Sequence, residues 1–262
     1  MLKNIYTPLS GAIAQERAMD IIANNLANLN TVGFKGDNVT FTLLEPEPYR
    51  NYKSPIPPAN YKVDFGELTP FHGNDMAYVG IAGMERDNQQ GPALITHNPL
   101  DLMIEGEGYF AVQTDQGRRF TRAGNLSLNS EGALVTASGH PILGEKGVVY
   151  LRSKQFEVNT KGEIYQDNQL VDRIRMYSFA NEDAVERVGN NYLYFGGSDK
   201  DLVSVANPAI RQGFLEGSNV NAIKNLTAMI IAHRSYEAYQ KAVSNYDKMM
   251  DKSSNTIGAV RV

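Results

Sequence analysis

Few side chains in this chain could do chemistry, and their spacing suits it poorly. The stretch GEGYFA, Gly106–Ala111, fits the loose dinucleotide pattern G-x-G-x-x-A. That pattern needs a strand before it and a helix after it, so that a pyrophosphate can rest on the helix N-terminus. Here a strand-like run follows, and a tight turn between strands is the plainer expectation. Glu105 and Glu107 could be imagined as an acid–base pair, but residues two apart on a strand share a face trivially. Glycosidase carboxylates normally face each other across a cleft from separate elements. Ser138 and His140 make no nucleophile elbow. His72, His97, His140 and His233 have no metal-ligand spacing. The chain has no cysteine, which excludes thiol catalysis, disulfides and cysteine-ligated zinc. Met249 and Met250 read as packing residues. The Asn-x-Ser/Thr triplets at Asn38, Asn125 and Asn225 are short enough to arise by chance. The residues therefore predict no catalytic, cofactor or metal site, and a protein that is not an enzyme.

The totals narrow the remaining classes. The chain has 262 residues, 42% hydrophobic and 21% charged, which is globular material of one large or two modest domains. Its net charge of −4, with no basic run, argues against nucleic acid as the main partner. The start, MLKNIYTPLSGAIAQERAMD, lacks an apolar run long enough for a secretory core, and no stretch is apolar over the ~18 residues of a membrane span. By address signals alone a cytoplasmic protein is expected, without membrane insertion. The lack of cysteine also suits a chain that crosses an oxidising compartment unfolded.

With no chemistry to place, the elements themselves become informative. Ile5, Leu9, Ala12, Met19, Ala23 and Leu26 recur at helical spacing, and Ile13, Ile22 and Leu29 widen the stripe. They predict a helix of roughly six to seven turns with one apolar face, interrupted at Glu16. Pro8 fits its first turn and Gly33 is expected to cap its end. Near the other terminus Asn225, Met229, Ala232, Tyr236, Tyr239, Val243, Tyr246 and Met250 alternate by four and three, a coiled-coil-like seam. Ser218 or Asn219 is the expected cap, and Lys224, Arg234, Lys241, Asp247 and Lys248 make a solvated face.

From Asp101 to Phe179 the pattern changes to short strand-length runs: GYFAVQ, RRFTRAG, NLSLN, ALVTA, HPILG, VVYLR, FEVN and EIYQDNQLV. Turns TDQG, NSEG and NTKG punctuate them, so a hairpin-rich β-domain is expected. The Pro-, Asn- and Tyr-rich stretch from Glu45 to Gln90 reads as an extended arm. The fold class is mixed α and β. Residues 1–34 and 217–262 are assigned to a helical core, 35–96 to the arm and 97–216 to the β-domain. Neither terminal helix can bury its seam on a domain it only flanks. Pairing of the two helices with each other, and with copies in neighbouring molecules, is the simplest expectation.

Three of these stretches also carry a family likeness. ANNLANLNTVGFKG, GYFAVQTDQGRRFTRAGNLSLNSEGALVTASGHPILG and GFLEGSNVNAIKNLTAMIIAHRSYEAYQKAVSNYDKMM resemble, in that order, the signatures of the bacterial flagellar rod and hook proteins. Length and the single β-domain look more like the rod members than the longer hook protein. GHPILGEKGVVYL looks more like the proximal rod protein, while EGSNVN and the overall length also suit the distal one; the proximal is favoured.

The likeness implies a structural subunit of the basal-body rod, exported without a cleavable signal peptide by the flagellar type III apparatus. That replaces the cytoplasmic expectation with the periplasm-spanning rod. Implied partners are further copies of the chain and other rod and hook subunits. NTVGFKG would then be the exit from the first helix toward the outer domain. Ile5, Leu9, Ile22, Leu26 and Leu29 are expected to bury against Leu226, Ile230, Tyr239, Val243 and Tyr246 in a helical, non-closing assembly. The competing classes are a carbohydrate-binding or enzymatic β-domain, and a cap-like scaffold that guides assembly without staying in it.

Overall fold

The computed structural model describes residues 5–44, 78–153, 155–181, 184–189, 191–205 and 208–253. They form two compact units. The first holds the described residues up to Asn24, from Asp37 to Glu85 and from Ile223 onward; the second holds Asn25–Gly36 and Arg86–Ala222.

The first unit is built on two helices, α1 (Tyr6–Ala27) and α2 (Ala222–Lys252), with a two-stranded sheet of β1 (Asp37–Leu44) and β2 (Tyr78–Arg86). At 22 residues, α1 makes about six turns. The apolar side chains it buries are small: Ala12, Ala14 and Ala18, beside Gly11. A Cβ at Gly11 would lie 2.6–3.0 Å from ring atoms of Tyr239, so the tyrosine rests directly on the α1 backbone. The Ser10 hydroxyl accepts a hydrogen bond from the Val79 amide at 3.1 Å and ties β2 to the same helix. Along α2 the predicted seam is the less exposed face. Ala232 is buried, and Asn225, Met229, Tyr236, Tyr239, Val243 and Met250 are half-buried, whereas Lys224, Arg234, Lys241, Asp247 and Lys248 are exposed.

Three local expectations change. α1 ends at Ala27, and Gly33 (φ +66°) lies beyond a run of tight turns, so it does not cap the helix directly. Neither Ser218 nor Asn219 caps α2. The Ser218 hydroxyl accepts from the Val220 amide, and the Asn219 carboxamide is used elsewhere, as shown below. Of the extended arm, residues 45–77 lie outside the described residues, while the flanking β1 and β2 are paired strands. The alternating Val39, Thr40, Phe41 and Thr42 favour such pairing, and that signal outweighs the nearby proline-rich composition.

The second unit is β-rich. Its strands are β3 (Ala93–Ile95), β4 (Leu102–Ile104), β5 (Tyr109–Thr114), β6 (Gly117–Thr121), β7 (Leu126–Leu128), β8 (Leu134–Thr136), β9 (Leu143–Gly144) and β10 (Gly147–Val148). They continue with β11 (Glu157–Val158), β12 (Glu163–Gln166), β13 (Gln169–Arg173), β14 (Met176–Phe179), β15 (Val185–Val188), β16 (Tyr192–Phe195), β17 (Leu202–Ser204), β18 (Ile210–Gln212) and β19 (Phe214–Glu216). The main sheet has the order β15-β16-β6-β5-β14-β17, and neighbouring strands pair antiparallel throughout.

β5 explains how this unit holds together. Its period-2 alternation sends Phe110 and Val112 into a cluster with Leu102, Leu134, Ile142 and Ile174. Ala111, on the other face, joins Phe120, Tyr177, Leu193 and Phe195. Both faces of the strand are thus covered, and each fully buried large apolar side chain contributes on the order of 1.5–3 kcal/mol. The run EIYQDNQLV, expected as one strand, is a hairpin of β12 and β13. Asp167 (φ 52°) and Asn168 (φ 60°) form its two-residue loop in the left-handed conformation that the strand twist favours.

Candidate assembly interface

Two features could serve assembly: the surface of the terminal-helix unit, and the junction in the β-rich unit where the chain leaves α1 and approaches α2.

The helix surfaces carry an unusual apolar load for solvent-facing positions. On α1, Tyr6, Leu9 and Ile13 are exposed, and on α2 so are Ile223, Leu226, Ile230, Ile231, Tyr246 and Met249, with Ile223 at 78%. Of the ten proposed interface residues, Leu9, Leu226, Ile230 and Tyr246 are exposed, while Ile5, Ile22, Leu26, Leu29, Tyr239, Val243 are half-buried. Leu226 and Ile230 lie off the predicted seam, one residue along from Asn225 and Met229, on a more exposed face. Leu26 and Leu29 belong to the β-rich unit rather than to the helical one. No described helix is long and apolar enough to cross a membrane.

The junction is polar and buried. After α1, Asn28, Thr31 and Phe34 make successive tight turns, with Thr31 N donating to Asn28 O and Phe34 N to Thr31 O. Gly33 N then donates to the Glu216 carbonyl at 2.8 Å. Only glycine fits at position 33. Its φ is +66°, and a Cβ there would lie 2.5 Å from the Arg122 carbonyl carbon. The Glu216 side chain, 1% exposed, accepts from Lys35 Nζ at 2.6 Å and Gly91 N at 3.0 Å through one oxygen, and from Arg122 Nη1 at 3.0 Å through the other. Lys35 also donates to Gln89 O, and Arg122 Nη2 to Gly106 O, both at 2.6 Å.

Asn219 finishes the clamp. Its Oδ1 accepts from Gly36 N at 2.8 Å and its Nδ2 donates to Asp87 O at 2.7 Å. Arg187 donates to the Lys35 carbonyl and lies 4.5 Å from the Phe34 ring centroid, a cation–π contact. Asn191 Nδ2 donates to Val32 O at 2.7 Å. Burial pushes the Lys35 amine below its usual range, and the hydrogen bond and charge of Glu216 only partly offset that. The chemistry of this arrangement is mechanical: it fixes residues 33–36 against Arg122 and Glu216 within the β-rich unit.

Lys35, Arg122 and Glu216 sit inside the stretches NTVGFKG, RRFTRAG and EGSNV, yet the sequence assigns none of the three a role. The available signal is a charge beside small residues in each stretch: Lys35 in the first, Arg122 among three arginines in the second, and Glu216 in the third. Nothing local to any one of them shows that the three meet.

Comparison with known proteins bears on the same segments. Residues 5–35 match the family described as flagella basal body rod protein. Residues 103–166 match the flagellar hook protein FlgE/F/G D1 domain, and residues 211–256 the flagellar basal body rod FlgEFG protein C-terminal. The flagellar basal-body rod protein FlgG of Caulobacter vibrioides is 30% identical over 265 residues, covering 97% of this chain and 98% of its own. The chain belongs to the flagellar basal-body rod protein family. A FlgF rod protein of Mesorhizobium japonicum is 29% identical, with 99% of each chain covered, and a FlgG of Bacillus subtilis is 28% identical, with 97% of this chain and 99% of its own covered. Each of the three family segments contributes one member of the buried triad: Lys35 from the first, Arg122 from the second and Glu216 from the third. In this rod-family chain the triad is where the three segments meet.

Proposed function

We propose that this protein is a structural subunit of the flagellar basal-body rod and polymerises helically through its terminal helices. The observation that carries this reading is the full-length match to a FlgG rod protein, joined to helices that expose large apolar side chains. Such side chains each contribute about 1.5–3 kcal/mol when a neighbour covers them, and an interface that does not close on itself gives a filament. Ile5, Leu9, Ile22, Leu26 and Leu29, with Leu226, Ile230, Tyr239, Val243 and Tyr246, are the proposed contact residues. The half-buried members set the pairing within a subunit, and the exposed ones the contact between subunits. Partners are copies of itself and neighbouring rod and hook subunits. Export by the flagellar type III apparatus delivers it to the periplasm-spanning rod, where its role is mechanical and not enzymatic. The stretch GHPILGEKGVVYL favours a proximal place in the rod.

Ile230→Asp tests the reading. The side chain is 56% exposed, so a charge there leaves the monomer's melting behaviour unchanged. In a covered contact the same unpaired charge costs several kcal/mol per subunit. The variant is expected to be exported yet absent from purified basal bodies, and cells to be non-motile. Normal motility with the variant present in basal bodies would remove this face from the assembly.

A further inference from the structure

Beside the Glu216 triad lies a small pocket lined by Lys35, Arg86, Tyr109, Arg122, Arg187 and Asn191, among others. It has room for about one water-sized group, some 10 Å³. Its polar lining is unbalanced in two independent ways.

The first is hydrogen bonding. Arg122 is 6% exposed, and its Nε is buried without a partner; the Nε of Arg86 is in the same state. The acceptors nearby are already engaged. Gly106 O receives Arg122, Lys35 O receives Arg187, Val32 O receives Asn191, and both Glu216 oxygens are bonded. Two residues that line the pocket, Arg86 and Arg122, thus each keep a buried Nε without a hydrogen-bond partner, and a buried, unmade hydrogen bond is costly.

The second is charge. Among the described residues, four cationic side chains line the pocket and no carboxylate does. Glu216, just behind, pairs with two of them, Lys35 and Arg122. Asp87 is the other carboxylate whose charge reaches Lys35. A water molecule filling the pocket would satisfy the donors but bring two further donors and no charge. An anion accepts only, and neutralises as it binds.

We infer that this pocket binds one compact monovalent anion, of halide size, held by Arg86 and Arg122 with Lys35 and Arg187 close by. A compact spherical anion suits that room better than an oxyanion with several oxygens. The inference goes beyond the rod reading and does not depend on it: it concerns how the junction of a single subunit is completed.

The test uses the full-length chain in sodium gluconate, exchanged stepwise for sodium chloride or bromide at constant ionic strength, with thermal unfolding followed by circular dichroism. Ligand in tenfold excess over its dissociation constant is expected to raise Tm by roughly 3–6 °C and then to saturate. Acetate and sulfate, at matched ionic strength, should give no saturating rise. Arg86→Gln removes one donor and one charge from the half-buried rim and should abolish the halide response. Because that variant could lose stability for other reasons, crystals of the unaltered protein grown in bromide supply a second readout: an anomalous peak between Arg86 and Arg122. A Tm that follows ionic strength alone, or bromide crystals with no peak in the pocket, overturns the inference.

Discussion

Replacing Glu216 with Gln is the perturbation the junction resists most. The carboxylate is 1% exposed and is bonded to two cations, Lys35 and Arg122, themselves 4% and 6% exposed. With glutamine the shape is nearly kept, but two buried cations face each other without an anion between them. Breaking a buried pair by removing one partner costs about 3–5 kcal/mol, because an uncompensated charge is left behind. Lys35→Met is milder. Glu216 keeps Arg122 and the Gly91 amide, Gln89 O keeps its bond from Asn219 Nδ2, and only the buried ammonium with its own hydrogen bonds is lost, so about 1–3 kcal/mol is expected.

The double variant decides the matter. Once Lys35 is already methionine, the Glu216→Gln change strands only one cation. The double should therefore be less destabilised than the sum of the singles by about 1–3 kcal/mol. The chain has no tryptophan, so urea unfolding is best followed by far-ultraviolet circular dichroism. Additivity within about 0.5 kcal/mol would refute the triad as a coupled unit.

Gly33→Ala should cost more than the usual left-handed penalty of about 1 kcal/mol. Its Cβ also meets the Arg122 backbone at 2.5 Å, so a loss of Tm by differential scanning is expected without loss of the far-ultraviolet spectrum. Lys35 should also tilt stability in alkali. Its amine is depressed below 10.5 mainly by burial, so between the depressed value and 10.5 the unfolded chain holds more protons than the folded one, and stability rises with pH through that window. Tyr165, raised by its bond to Glu163, acts in the opposite sense, so the measurement is the difference between the wild-type and Lys35→Met curves from urea titrations at each pH. A flat difference would contradict the buried-ammonium account.

The parts legible in the sequence were those with a period. The 3.5-residue spacing of Met229, Ala232, Tyr236, Tyr239 and Val243 marks the less exposed face of α2, because side chains at that interval share one side of a helix. GYFAVQ and GRRFT are strands joined at the TDQG turn. What lacked a period was missed. Leu226 and Ile230 step off that seam by one position, and the spacing alone does not show that they are exposed. DNQ at 167–169 reads as polar strand until the left-handed φ of both Asp167 and Asn168 is seen. The small Gly11, Ala14 and Ala18 attract no attention as a contact face, yet close approach is what small residues permit. The triad was least legible, since Lys35 and Glu216 are 181 residues apart and each is an ordinary surface residue type.

That separation bears on why the junction is ionic at all. A buried ion pair is often no better for stability than well-packed apolar side chains of the same volume. The strands that flank Glu216 and Arg122 are short: β3 pairs with β19 over three residues, and β4 with β18 over three. Pairings that short specify register weakly, because a slip by one residue forfeits little of the ladder. Directional bonds are less forgiving. Shifting Glu216 by one position turns its side chain to the opposite face and strands Lys35, Arg122 and the Gly91 amide together. Asn219 adds the same demand from three residues on, through Gly36 and Asp87. An apolar plug would have packed as well in several alignments. The polar one makes these bonds in a single alignment.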